Sequence, residues 1–315
     1  MKALHWDGRA LSLVSSAMPR KEPGAALVRV RLAGICDTDL QIFKGYMGFR
    51  GIPGHEVVGV VAEGPAPLMD RRVVAEINFA CGSCTECRRG LGNHCASRKV
   101  MGIAGADGAF AEYVAVPPEN LHLVPDGVPD EAAVCTEPLA AAFEILEQVQ
   151  VNPADRVLIL GDGKLGFLCA QVLKLTGAAV TVVGKHAGKL ERIRQRSIRT
   201  EFLDGWKPSA HDVVVEATGS ADGLRRAIEA VRPRGTLVLK STVAEAHSVS
   251  LAPLVVNEVT VIGSRCGPFA PALEALAERK VAVEPLIERI YPLDAGLEAV
   301  AHAARPGARK ILLRP

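Results

Sequence analysis

The sequence predicts an α/β chain in two domains, a β-barrel or sandwich followed by a doubly wound parallel sheet. Three observations carry this expectation. Short β-rich runs broken by Gly and Pro fill the chain up to about Cys135. From Arg156 onward, apolar β runs alternate with helical segments, the form of a parallel sheet with covering helices. The length, 315 residues, fits two domains at roughly 150 residues each.

In the first part, strands are expected at Ala26 to Leu32, Val57 to Ala62, Arg72 to Ile77 and Phe110 to Val116. Apolar residues at helical spacing predict a helix over Asp130 to Val149, closed by Pro153. Strands then follow at Arg156 to Leu160, Ala179 to Val183, Asp212 to Ala217, Thr236 to Leu239 and Val259 to Ile262. Helices fit Leu165 to Thr176, Ala187 to Arg196 and Asp222 to Val231. The interval from Arg196 to Asp212 is short for a full crossover, which takes a dozen or more residues, so one covering helix is expected to be missing. Pro271 to Arg279 reads as helical, and Ile290 to Pro315 as strand, helix and strand returning to the first domain.

Composition narrows the function classes. With 49% hydrophobic and 23% charged residues, disordered and fibrous readings fall away. A net charge of +2 and 4% aromatics give neither the field nor the stacking surfaces that nucleic-acid or membrane-surface binding requires. No apolar run reaches the ~18 to 20 residues of a membrane helix, and the start of the sequence lacks a secretory signal pattern. The expected partner is a small molecule and the expected location the cytoplasm.

A reducing cytoplasm leaves metal binding, catalysis or packing as the uses of the eight cysteines. Cys81, Cys84, Cys87 and Cys95 stand at spacings that let four thiolates converge on one tetrahedral zinc. Such a closed site organises a loop and does no chemistry. A DNA-binding zinc ribbon would want a basic helical module, whereas only Arg88, Arg89, Arg98 and Lys99 flank the cluster. Cys36 is followed by Gly54-His55-Glu56, and thiolate, imidazole and carboxylate are the donors of an open, catalytic zinc site.

Gly34-Ile35-Cys36, Gly54-His55-Glu56, the four-cysteine lobe and Gly161-x-Gly163-x-x-Gly166, taken in this order, resemble the zinc-containing medium-chain alcohol and polyol dehydrogenases. The resemblance implies a GroES-like catalytic domain split between residues 1–138 and 268–315, with a Rossmann domain inserted at 139–267. It implies two zinc ions, a structural one on the four cysteines and a catalytic one on Cys36, His55 and Glu56. For the fourth catalytic position it offers Glu137, which precedes Pro138-Leu139, with Cys135 or water as alternatives. Thr38 takes the place of the hydroxyl that passes the substrate proton outward, and Asp39 that of the carboxylate orienting the histidine ligand. Two departures stand out. Gln41 replaces the titrating outer end of the proton relay, and Asp37 replaces a pyrophosphate-binding arginine, for which Arg309 is a candidate substitute.

The Gly161-Asp162-Gly163-Lys164-Leu165-Gly166 segment follows a strand and opens a helix, the context of a dinucleotide-binding loop. NAD-specific domains carry an acid at the end of the second strand, but here that strand ends in Gly184-Lys185-His186. With no acid on the strand, and with Lys185, His186 and Lys189 able to pair with a 2′-phosphate, NADP is expected over NAD. Thr218, in Glu216-Ala217-Thr218-Gly219, matches the family segment beside the nicotinamide ribose. Val259 to Ser264 resembles the strand by which family subunits pair, so a homodimer or homotetramer is expected.

The expected activity is therefore interconversion of a secondary or polyol-like alcohol and its carbonyl with NADP. Two other readings remain open at this stage. One is an NAD-dependent dehydrogenase acting on a hydroxyl of a larger metabolite of the threonine, sorbitol or pigment-precursor kind. The other is a zinc-stabilised nucleotide-binding protein without turnover.

Overall fold

The computed structural model of the chain describes every residue except 21, 23 and 243–247. It divides into two compact units, Met1–Glu137 with Leu273–Pro315, and Pro138–Ala272.

The first unit is built on a seven-stranded sheet. Its order runs Leu121–Leu123, Arg72–Ala75, Glu56–Glu63, Ala26–Ile35, Lys310–Arg314, Ile287–Pro292, and Tyr113–Val116 also pairs with Ala26–Ile35. Ala26–Ile35 is the central strand because nearly all its side chains are apolar and buried, leaving only Arg29 and Arg31 exposed. Its antiparallel registers place Gly34 opposite Glu56 on one side and Ile35 opposite Ile311 on the other. Three strand ends thus meet at one edge. A hairpin of Lys2–Trp6 and Leu11–Ser15 and a three-stranded sheet of Asn78–Phe79, Lys99–Met101 and Gly105–Ala106 complete the β structure.

The helix expected over Asp130 to Val149 is two helices, Asp130–Ala133 and Thr136–Gln148. Pro138 supplies no N–H to the preceding turn and its ring crowds the carbonyl four residues back. Thr136 Oγ1 instead donates to the Ala133 carbonyl at 2.7 Å, fixing the junction.

The second unit carries a six-stranded parallel sheet of β1 (Arg156–Leu160), β2 (Ala179–Gly184), β3 (Arg199–Phe202), β4 (His211–Glu216), β5 (Val231–Leu239) and β6 (Thr260–Gly263). Their spatial order is β3-β2-β1-β4-β5-β6, the doubly wound arrangement with its switch point between β1 and β4. Helices α1 (Lys164–Lys174), α2 (Ala187–Arg194) and α3 (Ala221–Ala230) connect the strands. The central strands are apolar along their length because both faces are covered: Val157 to Leu160 and Val213 to Val215 are buried. Ser220 caps α3 by accepting the Gly223 N–H at 3.1 Å.

Strand β3 was not expected from the sequence. Arg199-Thr200-Glu201-Phe202 shows no buried position, so its membership comes from main-chain pairing with β2 rather than from a hydrophobic face. Between Phe202 and His211 the described residues form no helix, in line with the expected missing crossover helix.

Candidate active site and metal centres

The three meeting strand ends of the first unit deliver the open metal site. Cys36 leaves the central strand and caps the short helix Asp37–Ile42, while His55 and Glu56 open the neighbouring strand. One donor atom from each of Cys36, His55 and Glu56 lies within 4.8 Å of the others. His55 and Glu56 are buried and Cys36 is half-buried. The packing explains two glycines of the motif. A Cβ on Gly34 would sit 2.1 Å from Glu56 Oε2, and one on Gly54, at φ +99°, would meet the Phe110 ring at 2.4 Å.

Asp39 is fully buried and ties this site together. Its Oδ2 accepts the Cys36 N–H at 2.8 Å, and its Oδ1 lies 3.1 Å from His55 Nδ1. A carboxylate only accepts, so Nδ1 is the donor and Nε2 is left for a metal. Burial works against a charge on His55, but the Asp39 carboxylate and the Cys36 sulfur outweigh it and hold the ring's pKa well above its ordinary value. A half-buried soft donor, an oriented imidazole and a carboxylate at this separation fit zinc. Thr38 Oγ1 lies 3.8 Å from Cys36 Sγ.

Glu137 and Cys135 fall outside the cluster of mutually close donors. Cys135 is fully buried, its Sγ 3.8 Å from the Glu131 carbonyl, and burial pushes its thiol up to about 12. Arg309 is held within its own unit by the Pro285 carbonyl at 3.1 Å and by Glu288.

One residue of this site escaped sequence reasoning. Lys310 opens the last strand and is 2% exposed. Its Nζ reaches Glu56 Oε1 at 2.6 Å and Oε2 at 2.7 Å, with the Ile35 carbonyl at 3.4 Å. The register that pairs Ile311 with Ile35 places it there. Breaking a buried ion pair by removing one partner typically costs about 3 to 5 kcal/mol, because the other charge stays buried. In the chelator-treated protein, Lys310→Met is expected to lower unfolding stability by about that amount. Adding Glu56→Gln should recover most of the loss in urea denaturation. Equal stability of wild type and Lys310→Met would show that the pair contributes nothing.

Sulfur atoms of Cys81, Cys84, Cys87 and Cys95 likewise lie within 4.8 Å of one another. Cys84 and Cys87 are 3.4 Å apart, and the Cys81 N–H points at Cys95 Sγ at 3.4 Å. Main-chain N–H groups of Ser83 and Cys84 pull the Cys81 thiol down to about 6. Amides directed at converging sulfurs suit thiolates, and hence a closed zinc site.

In the second unit, the turn after β1 is shaped for a dinucleotide. Gly161, at φ +122°, leaves 2.4 Å between a would-be Cβ and the Ala217 carbonyl, and a Cβ on Gly166 would meet the Gly161 carbonyl at 2.0 Å. These two glycines serve close packing of loop, strand and helix. Gly163 is different: a Cβ there would meet nothing within 4 Å. The open space lies at the cap of α1, whose first residues are Lys164 and Leu165, where free N–H groups and the helix dipole favour a pyrophosphate. Thr218 donates its N–H and its hydroxyl to Glu216 Oε1 at 2.7 and 2.6 Å. The β2 end holds Gly184 buried, Lys185 and His186 exposed and Lys189 half-buried. It is not free of acid, however. Asp162, which the sequence reading passed over, turns its carboxylate onto this end and accepts the Lys185 and His186 N–H groups at 2.8 and 2.7 Å.

An open set of metal donors in one unit and a glycine-lined anion cradle on a parallel sheet in the other define a metal- and nucleotide-dependent oxidoreductase. Comparison with known proteins narrows the class. Residues 22–126 match the alcohol dehydrogenase GroES-like domain, and residues 165–279 match the zinc-binding dehydrogenase domain. D-altritol 5-dehydrogenase of Agrobacterium fabrum is 31% identical over 260 residues, covering 77% of each chain. The alcohol dehydrogenase RspB of Escherichia coli CFT073, solved with NADH, superposes with a TM-score of 0.91 at 26% identity, covering 100% of this chain and 99% of that one. A zinc-binding dehydrogenase of Sinorhizobium meliloti 1021 bound to NADP gives 0.90 at 26% identity, with the same coverage. The chain belongs to the zinc-dependent medium-chain dehydrogenase/reductase family.

Proposed function

We propose that this protein is a zinc-dependent dehydrogenase that interconverts a secondary, polyol-like alcohol and its carbonyl with NADP(H). The observation that carries the reading is the convergence of Cys36, His55 and Glu56 around one point, with Asp39 orienting the histidine. The likeness to D-altritol 5-dehydrogenase supports a polyhydroxylated substrate.

In this reading Cys36, His55 and Glu56 hold the catalytic zinc, and Cys81, Cys84, Cys87 and Cys95 the structural one. Zinc supplies Lewis acidity toward the substrate oxygen, and the nicotinamide supplies the hydride acceptor. Thr38 takes the hydroxyl proton and passes it outward. Gln41 cannot titrate, so the proton leaves the site through water. Asp39 keeps His55 Nε2 directed at the metal position, and Lys310 neutralises whichever Glu56 oxygen does not serve as a ligand. Glu137 is the proposed fourth donor, brought in by adjustment of the first turn of Thr136–Gln148. Gly161, Gly163, Gly166, Lys164, Leu165 and Thr218 bind the dinucleotide, with Gly184, Lys185, His186 and Lys189 at its adenosine end.

The exposed apolar residues Val255, Val256 and Val261 on and before β6 support pairing of two chains along that edge strand. The described helices include none long and apolar enough to cross a membrane. Eight free cysteines accord with a reducing cytoplasm.

A panel of polyols, secondary alcohols and their carbonyls with each nicotinamide tests the reading, together with metal analysis. Turnover that a chelator abolishes is expected, with two zinc ions per chain, one for each donor cluster. One zinc per chain, intact nucleotide binding and no turnover on any substrate would instead identify a binding protein.

A further inference from the structure

The missing crossover from β3 to β4 has a side of the sheet to which it belongs. It runs in the same direction across the sheet as the crossover from β4 to β5, so right-handedness puts both on one face, the face that α3 covers. Leu158 of β1 lies on that face, packed in one core cluster with Ala227 and Ile228 of α3, and the registers set Thr181 and Arg199 beside it. Leu203 and Trp206 of the short connection cover part of this cluster. Beside Trp206 a cavity of about 390 Å³ opens at the N-terminal ends of the strands, wholly within the second unit. Its floor is aliphatic, with Leu158, Val180 and Ile198. Its charged lining is three cations, Arg156, Lys174 and Arg199, against one acid, Glu201. Arg199 and Glu201 pair with each other at 2.8 Å. Lys174 Nζ donates to the Arg196 and Ser197 carbonyls at 2.7 and 3.0 Å, which uses two of its three N–H groups and leaves its charge uncancelled. Asp212 accepts the Arg156 main-chain N–H, but its other oxygen holds Arg232, and among the described residues the Arg156 guanidinium has no ion pair.

We propose that this cavity is a second small-molecule site, which takes an organic anion with a flat apolar body and a carboxylate. Its volume lies within the roughly 300 to 1,000 Å³ of small-ligand pockets. The aliphatic floor and the Trp206 indole form a slot for a planar ring, and Arg156 and Lys174 supply charge-assisted hydrogen bonds to the acid group. A wholly polar anion would leave the aliphatic floor uncovered. A neutral hydrocarbon would leave both cations without a counter-charge. A ring that carries a carboxylate satisfies both parts of the lining. The site stands apart from the dinucleotide loop and does not depend on the alcohol chemistry of the other unit. Arg156 begins β1 and Gly161 follows its last residue, so the two sites lie roughly 16 Å apart along the strand and can be filled together.

Calorimetric titration of the zinc-loaded full chain with 2-naphthoate tests this, with saturating NADPH present to fill the dinucleotide site. One molecule per chain is expected to bind, with a Kd of about 1 mM or tighter. The neutral analogue 2-naphthamide should bind roughly tenfold more weakly, the size of a lost charge-assisted contact. Arg156→Gln, an exposed change at a strand start, should weaken 2-naphthoate roughly tenfold and leave 2-naphthamide as it was. Trp206→Ala should weaken both ligands, because it removes the wall that the ring lies against. Absence of saturable binding overturns the proposal, as does 2-naphthoate binding that NADPH abolishes. Full 2-naphthoate affinity in Arg156→Gln would place any binding elsewhere in the chain and overturn it too, and so would equal affinity for acid and amide.

Discussion

Replacing Cys36 or His55 with alanine is expected to lower kcat/KM by at least a thousandfold, on the order of 4 kcal/mol of transition-state stabilisation. Each change removes one of the three donors that cluster here among the described residues, and Cys135 lies outside that cluster. Zinc content should fall by one ion per chain while circular dichroism stays that of the wild type. Asp39→Asn is a finer probe. Its amide can no longer serve as acceptor toward both the Cys36 N–H and the His55 ring, and a lost partner of a metal-bound histidine costs roughly 10- to 100-fold in metal affinity or activity. Wild-type kcat/KM in Cys36→Ala with the zinc retained would remove the site from the mechanism.

The second large effect concerns the four-cysteine lobe. Cys95→Ser should release the structural zinc and unfold the segment around Cys81 to Cys95, because little else holds it. Its one α-helix, Thr85–Arg88, has four residues, far below the length at which a helix stands alone. Only Cys95 among the four sulfur donors is buried. Zinc contributes about 10 to 16 kcal/mol in small thiolate-bearing peptides, so its loss exceeds what local packing replaces. Limited proteolysis should cut the variant within the lobe at protease levels that leave the wild type whole. Equal resistance of the two would show that the lobe folds without metal.

Features carried by a short stretch of chain were readable from the sequence. Four cysteines within one loop can converge whatever the rest of the chain does, and apolar runs at period two or at helical spacing declare β1, β2, β4 and their covering helices. Cys36, His55 and Glu56 were readable because they are three good zinc donors set in the short segments Gly34-Ile35-Cys36 and Gly54-His55-Glu56, in a fixed order with the four-cysteine lobe and the glycine loop. What stayed hidden was set by register between distant strands. Lys310 heads the run Ile311-Leu312-Leu313 and looks like a surface residue at a strand start; only the pairing of Ile311 with Ile35 turns it onto Glu56. Asp162 was overlooked for a related reason. Its partners lie 23 and 24 residues away, so a strand end that carries no acid of its own still has one against it. Strand β3 has no buried face and so no pattern to find. The division of Asp130 to Val149 into two helices was available in principle, in Pro138 and its effect on the turn before it.

The contact between Glu56 and Lys310 spans 254 positions of the chain, and this orders events during synthesis. A ribosome releases the cysteine lobe and the Cys36–His55–Glu56 edge long before the lysine exists. Until then the carboxylate has no lysine to enter the core with, and the cost of stripping its hydration opposes burial of that strand end. Metal loading of the four-thiolate loop can therefore occur on the nascent chain, whereas sealing of the other centre waits for translation of the final strand.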